Sequence, residues 1–223
     1  MYFTDIIKTF PLLSLIRSKS YSQFWEDRLL ARLVSDKIGS YVDIGAGNPV
    51  WGSNTYLFYK RGWKGVIVEP IMLNIRLQKL IRRRDHQFRA LVTDSLAEME
   101  FFQLRPWELS TTIKETALSR ISKGAILVRR DKISTITLSE IYKLKPISRP
   151  AILSIDVEGS ELEVLKSNDW SLYQPDLICI EELDPPIQNS RIREFLEAHN
   201  YRLQAYNGVS AIYVWVHSTC IDD

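Results

Sequence analysis

Acidic residues recur where apolar runs end. Asp156, Glu158 and Glu161 fall within the six residues Asp156-Val157-Glu158-Gly159-Ser160-Glu161, directly after the apolar run Ala151 to Ile155. Glu181-Glu182 close the next such run, Asp176 to Ile180, and Glu69 closes Val66-Ile67-Val68. Asp43 lies inside a fourth, Tyr41-Val42-Asp43-Ile44, just before Gly45-Ala46-Gly47. Carboxylates at strand ends have a limited chemistry. Crowded together they raise one another's pKa, so one of them could accept a proton near neutral pH. As hard oxygen ligands they could equally hold a divalent ion, and the residues leave both open. Asp156 and Glu158 are the candidate catalytic pair. Glu161 reads instead as an acid placed to meet a helix N-terminus.

The elements that must carry these acids can be read around the glycine turn. Tyr41 to Ile44 is a short strand, and Gly45 and Gly47 make a tight turn. Ser53-Asn54-Thr55 can then cap a helix bearing Leu57, Phe58 and Tyr59 that stops at Gly62. Val66 to Val68 is a second strand ending in Glu69-Pro70, at close to the roughly 20-residue spacing of a ribose-binding acid. A dinucleotide fingerprint would want a third glycine where Val50 stands. An acid such as Asp43 before the turn would also repel a pyrophosphate. S-adenosylmethionine has no phosphate and carries a sulfonium and an α-amino group, so acids lining the strand ends favour it. The expected activity is therefore methyl transfer from that donor.

Further elements follow in order. Ser22 can cap a helix through Glu26, Asp27, Leu29, Leu30, Leu33 and Val34, ended by Gly39. A helix is expected over Leu73 to Arg83, buried at Leu73, Leu77, Leu80 and Ile81. A strand over Phe88 to Val92 would end at Thr93-Asp94, and Met99 to Phe102 could add another. Residues 104–137 read as an insertion on the acceptor side, extended over Val128 to Leu138, with Ser139 starting a short helix. A helix is also expected from Ile192 to His199. Arg202–Tyr206 and Ala211–Val216 flank Asn207-Gly208, a hairpin signal because the turn needs positive φ twice. Strand–helix alternation closed by that hairpin predicts an α/β fold. It is Rossmann-like and doubly wound, with a mostly parallel sheet and a C-terminal antiparallel hairpin, the class I methyltransferase arrangement. The expected division is an N-terminal helical segment, 1–38, and a cofactor-binding domain, 39–223.

The chain's 223 residues suit a domain with a sizeable core, and 45% hydrophobic with 25% charged residues is ordinary for a globular protein. A net charge of +2 gives no pointer to nucleic acid, and none is expected as a partner. Cys179 and Cys220 make neither a disulfide framework nor a metal spacing. Cys179 reads as a small buried hydrophobe, and a cytoplasmic setting is expected. Residues 1–16 are apolar but interrupted by Asp5, Lys8 and Pro11, so no membrane insertion is expected, and no cleaved leader is read either. His86, His199 and His217 lie in no motif. Lys79, Arg82, Arg83 and Arg84 read as a solvated helix end. Trp51, Trp107 and Tyr56 could line an acceptor pocket, while Trp63 reads as core.

Four segments together resemble the FkbM-type methyltransferases. They are Tyr21-Ser22-Gln23 with Glu26-Asp27; Val42 to Ala46 through Pro49, Ser53-Asn54-Thr55 and Gly62-Trp63 to Glu69-Pro70; Thr135 to Leu138; and Ile155 to Gly159 with Glu161 and Leu165. The resemblance implies O-methylation of a hydroxyl on a sugar, a glycan or a secondary metabolite. It further implies that Asp43, Gly45, Ala46 and Gly47 hold the methionine part of the donor, bordered by Gln23 and Asn54. Glu69 with Pro70 would meet the ribose, Thr93 and Asp94 the adenine edge, and Asp156 and Glu158 the point where donor and acceptor meet. No metal ligand is assigned. The chain departs from the family at Gly47, where members often carry Asn. Two other readings stand beside this one: a dinucleotide-dependent oxidoreductase or epimerase on the same fold, and a cofactor-binding module without catalysis.

Overall fold

The computed structural model describes residues 20–34, 37–94, 96–182 and 190–216. The apolar stretch 1–16, Arg17, Lys19, His217 and Cys220 lie outside them.

Five short strands carry the apolar runs: β1 (Ser40–Ile44), β2 (Lys64–Val68), β3 (His86–Phe88), β7 (Ala151–Ile155) and β8 (Leu177–Glu181). They pair in parallel, and β10 (Ser210–Trp215) with β9 (Tyr201–Tyr206) closes the far edge antiparallel. The seven-stranded order is β3-β2-β1-β7-β8-β10-β9. This is the doubly wound sheet with a terminal hairpin that alternation predicts. The side-chain period of 2 sorts the strands' residues onto two faces. Val42, Ile44, Val66, Val68, Leu153, Ile155, Ile178 and Ile180 point to one core, with α5 (Leu138–Leu144), α6 (Glu161–Lys166) and α7 (Arg191–Ala198). Tyr41, Ile67, Ile152, Leu177 and Cys179 point to the other, with α1 (Glu26–Leu33) and α2 (Tyr56–Lys60). Strands buried on both faces explain why these runs are continuous rather than alternating. Cys179 is free and buried, as expected.

Several local expectations are corrected. The strand expected over Phe88 to Val92 is divided. β3 stops at Phe88 on the main sheet, and β4 (Leu91–Val92) turns away to pair with β6 (Ile126–Ile136) in a second sheet of order β4-β6-β5, with β5 (Glu98–Arg105) at its edge. An unforeseen helix, α4 (Lys114–Ser122), follows β5 and buries Ala117. Helix α3 (Met72–Ile81) turns its Leu73 and Leu80 outward and buries Ile75 and Gln78, with Arg82 just beyond its end. Apolar residues occupy both sides of α3, so periodicity alone selects no face. Polar partners decide instead for Gln78 and Arg82, namely Gly47 O in the glycine turn and the hydroxyls of Ser53 and Thr55. Helix α1 begins at Glu26 rather than at Ser22 and ends at Leu33, well before Gly39. Helix α5 is capped by Thr137, whose hydroxyl accepts from Glu140 N while Glu140 accepts from Thr137 N. Ser139 is therefore the second residue of that helix, not its cap.

Candidate functional site at the carboxyl end of the sheet

Strand order reverses between β1 and β7: the chain leaves β1 for β2 on one side and returns to β7 on the other. Ligands of open α/β sheets bind at such a switch point. Here the two turns touch. Asp156 N donates to Ile44 O at 3.0 Å, and Gly45 N donates to Val68 O at 2.9 Å. A Cβ on Gly45 would stand 1.8 Å from the Asp156 carbonyl oxygen, and its φ is +75°. Gly45 is thus required both by backbone angle and by the close approach of β7's turn. Gly47, at φ +53°, is different: a Cβ there would meet nothing nearer than 3.9 Å, so the space above it is open.

Glu69 closes the glycine turn. Its buried carboxylate accepts from Gly47 N at 2.8 Å and from Ile71 N at 2.7 Å. Burial pushes it up to about 7 against the pull of those two donors. Gln78 Nε2 donates to Gly47 O at 3.1 Å, while its buried Oε1 has no partner among the described residues. Ala46 is buried within the turn, and Pro70 O accepts from Arg89 Nε at 3.1 Å. Asp43 is buried. It accepts from Thr55 Oγ1 at 2.5 Å and lies 3.8 Å from the Arg82 guanidinium. Asn54 Nδ2 donates to Ser154 Oγ at 3.2 Å, tying the start of α2 to β7.

The acids of the first two strand ends meet as the sequence suggests. Carboxylate oxygens of Asp156, Glu158 and Glu181 all lie within 4.8 Å of one another. Asp156 opens to the cleft, yet its carboxyl sits deep among protein atoms beside Glu181 and Glu158. Depth first, then those charges, hold it well above the usual carboxylate range. Burial, then Glu158 and Glu161, push Glu181 to about 8. Burial also raises Glu158, but Arg120 opposes the shift. The Arg120 Nη2 donates to Glu158 Oε2 at 2.6 Å, and its Nη1 donates to Leu109 O at 2.9 Å. Glu158 has a φ of 61°, a left-handed backbone that a non-glycine residue adopts only when its surroundings enforce it. Thr111 Oγ1 donating to Glu158 O at 3.3 Å helps to do so. Glu161 accepts from Gly159 N and Val157 N, closing its own turn at the start of α6. Glu182 accepts from Tyr213 OH at 3.0 Å.

Gln23 is exposed in the loop before α1. That loop is pinned by two buried acids. Asp27 accepts from Tyr21 N at 2.8 Å and from Ser20 Oγ at 2.6 Å. Glu26 accepts from Asn207 Nδ2 at 2.9 Å and from Ser210 Oγ at 3.1 Å. Ser210 pairs across the sheet with Glu181, so the loop lies at the same edge as the acid cluster. Thr93 and Asp94 follow β4, on the second sheet. Among the described residues no hydrogen bond or ion pair joins either to the glycine turn or to the acids. Trp63 is core and Tyr56 is buried against Tyr21 and Tyr59, while Trp51 is exposed and Trp107 packs on Ile71, Phe101 and Ile133. Sequence reasoning missed Arg120, the bond of Thr55 to Asp43 and the inward role of Arg82. It named Glu26 and Asp27 as helix members and as part of a resembling segment, without the hydrogen bonds that pin the loop.

The raised acids carry a consequence for stability. Glu69 and Glu181 ordinarily titrate at 4.5 but are raised to about 7 and about 8 in the folded chain. Between these limits the folded state binds more protons than the unfolded one, so stability falls with rising pH. Their stabilising contribution is complete below about pH 4.5 and lost by about pH 8. The urea midpoint of the ligand-free protein should therefore drop from pH 5 to pH 8, and Glu181→Gln should flatten the drop. A wild-type profile that rises across this range would refute the assignment.

Over residues 43–203 the sequence matches the family described as "Methyltransferase FkbM domain". The crystal structure of Methyltransferase FkbM from Methylobacillus flagellatus KT is 15% identical, with a TM-score of 0.54 over 87% of this chain and 48% of that one. The chain thus spans about half the length of that relative. A precorrin-6y C5,15-methyltransferase from Geobacter metallireducens GS-15 is 14% identical, with a TM-score of 0.45 over 89% of this chain and 92% of that one. None of the curated proteins matches. Among the described residues no helix is long and apolar enough to cross a membrane.

Proposed function

The chain belongs to the FkbM methyltransferase family, and on that premise we propose that it transfers a methyl group from S-adenosylmethionine to a hydroxyl of a sugar, a glycan or a secondary metabolite. The observation that carries the reading is the cluster of Asp156, Glu158 and Glu181 at the switch point, three carboxylates with a single guanidinium among them. Such a donor set fits a cationic ligand. It disfavours a pyrophosphate, which would add negative charge to acids already raised by mutual repulsion. Bound there, the donor would supply a methyl group on a sulfonium, a leaving group that needs no further activation. The protein's task is then alignment, worth about 7–11 kcal/mol at best, and removal of the hydroxyl proton.

In this reading Gly45, Ala46 and Gly47 meet the methionine end, with Gln23 above it. Asp43 and Asn54 act from beneath, fixing the turn through Thr55 and Ser154. Glu69 meets the ribose, and Thr93 with Asp94 the adenine edge. Glu158 accepts the proton while Asp156 orients the acceptor. Arg120 already sets a cation on Glu158, so this chemistry proceeds without a metal. The second sheet and α4, which deliver Arg120, form the acceptor side.

The test titrates S-adenosylhomocysteine and NAD in parallel. Methyl transfer from labelled donor to sugar and polyketide hydroxyls is then measured, with and without EDTA. The expected result is binding of S-adenosylhomocysteine alone and transfer that survives EDTA. Binding of NAD alone would instead establish the oxidoreductase. Cofactor binding with no turnover on any hydroxyl would leave a binding module.

A further inference from the structure

Three arginines gather on the outer side of α1 and α2, and no carboxylate lines the pocket between them among the described residues. A pocket of about 310 Å³ is lined by Trp25, Arg28, Ala31, Arg32 and Arg61. Arg28 and Arg32 stand one turn apart on α1, a like-charge spacing that destabilises a helix on its own. Arg61, the C-cap of α2, adds a third guanidinium from a second element. Among the described residues none of the three has an ion-pair partner, although the chain carries nearly balanced charge. The bland reading is three solvated side chains. It does not account for Arg28, whose Nε is shut off from solvent and has no acceptor among the described residues. A buried donor left so calls for an explanation.

Trp25 supplies an independent observation. Its φ is 70°, and the residue is 57% exposed where it lines the pocket. The backbone is clamped on both sides. Asn207 Nδ2 donates to Phe24 O at 3.3 Å, and Glu26, which accepts Phe24 N at 2.8 Å, is itself held by Asn207 and Ser210. An exposed indole held in a strained backbone is a presented surface, not a packed one.

We propose that Trp25, Arg28, Arg32 and Arg61 form a binding site for a phosphate ester. The guanidiniums take the phosphoryl oxygens through their Nη groups, and the indole covers the ring or chain the phosphate is attached to. The site is independent of the methyltransferase reading, and its test uses no turnover.

Inorganic pyrophosphate is titrated calorimetrically against the full chain, with phosphatidylglycerol vesicles as a second arm and phosphatidylcholine vesicles as control. Saturable one-site binding of pyrophosphate is expected, weakening steeply with salt. Arg28→Gln and the exposed Arg61→Gln should each lose about tenfold in affinity or more, whereas Arg83→Gln, which does not line the pocket, should lose none. The urea unfolding midpoint should not fall in any of the three, which separates loss of the site from loss of the fold. Pyrophosphate binding without retention on vesicles assigns the site to a soluble phosphate ester. Retention on phosphatidylglycerol that Arg28→Gln abolishes and pyrophosphate competes away assigns it to a lipid headgroup. No saturation by about 10 mM pyrophosphate, or equal binding by wild type and both site variants, would overturn the proposal.

Discussion

Arg82→Met should destabilise the fold by about 3–5 kcal/mol, the usual result of leaving buried charges without their partner. Arg82 is fully buried. Its Nε donates to Asp85 at 2.8 Å, its Nη2 to Thr55 Oγ1 at 2.8 Å and its Nη1 to Ser53 Oγ at 3.3 Å, with Asp43 3.8 Å away. The guanidinium also lies 5.1 Å from the Tyr41 ring centroid. Methionine would fill much of the volume but strand two buried carboxylates. Asp85 would keep the Tyr41 hydroxyl and Gly65 N, while Asp43 would keep the hydroxyls of Thr55 and Ser154. Asp43 should suffer more, since burial already raises it and Arg82 is the main opposing charge. Urea unfolding at pH 7 measures the loss. Adding Asp43→Asn to Arg82→Met should recover part of it, because one stranded charge disappears. A single-variant loss below about 1 kcal/mol would show that the network is not what fixes this end of the sheet. The same variant should weaken S-adenosylhomocysteine binding, since Asp43 and Thr55 anchor α2 beneath the glycine turn.

Arg82 also shows where reading the sequence ends. A basic residue in a run with Arg83 and Arg84 is by type a solvated cation, and nothing local distinguishes it from them. Its burial follows from four partners, the nearby Asp85 together with Asp43 of β1 and Ser53 and Thr55 at the start of α2, and the last three meet it only once the sheet is built. The sheet itself was legible because strands buried on both faces write continuous apolar runs, and because acids and glycines punctuate their ends. The acid cluster was legible for the same reason: Asp156, Glu158 and Glu181 each follow such a run, so parallel pairing must bring them level. Arg120 was not, since α4 carries Leu118 outward and buries little beyond Ala117, leaving no periodicity to mark a helix or the side it turns to the site. The division of the strand at Phe88 was hidden too, because Leu91 and Val92 continue the apolar pattern while changing sheets.

The second large effect concerns Arg120 and Glu158 together. If Glu158 takes the hydroxyl proton, Glu158→Gln should lower kcat by about 10²–10⁴-fold while leaving the affinity for S-adenosylhomocysteine unchanged. Turnover within about twofold of wild type would exclude Glu158 and turn attention to Glu181. Arg120 then becomes the residue that sets the pH at which the base works. Burial raises Glu158, and Arg120, 2.6 Å away, is the strongest influence in the opposite direction. Arg120→Gln would remove that pull while Glu161 and Glu108 continue to push upward. The base would then ionise only at higher pH, so the acid limb of the kcat profile should move up the pH scale. Activity lost near neutrality should return in alkaline buffer, and Arg120→Lys should restore part of the displacement, since it keeps the charge but loses the second bond to Leu109 O. A purely structural Arg120 would instead lower kcat by the same factor at every pH. The shape of the profile, more than the size of the loss, therefore decides whether the second sheet merely covers the acceptor or tunes the base that attacks it.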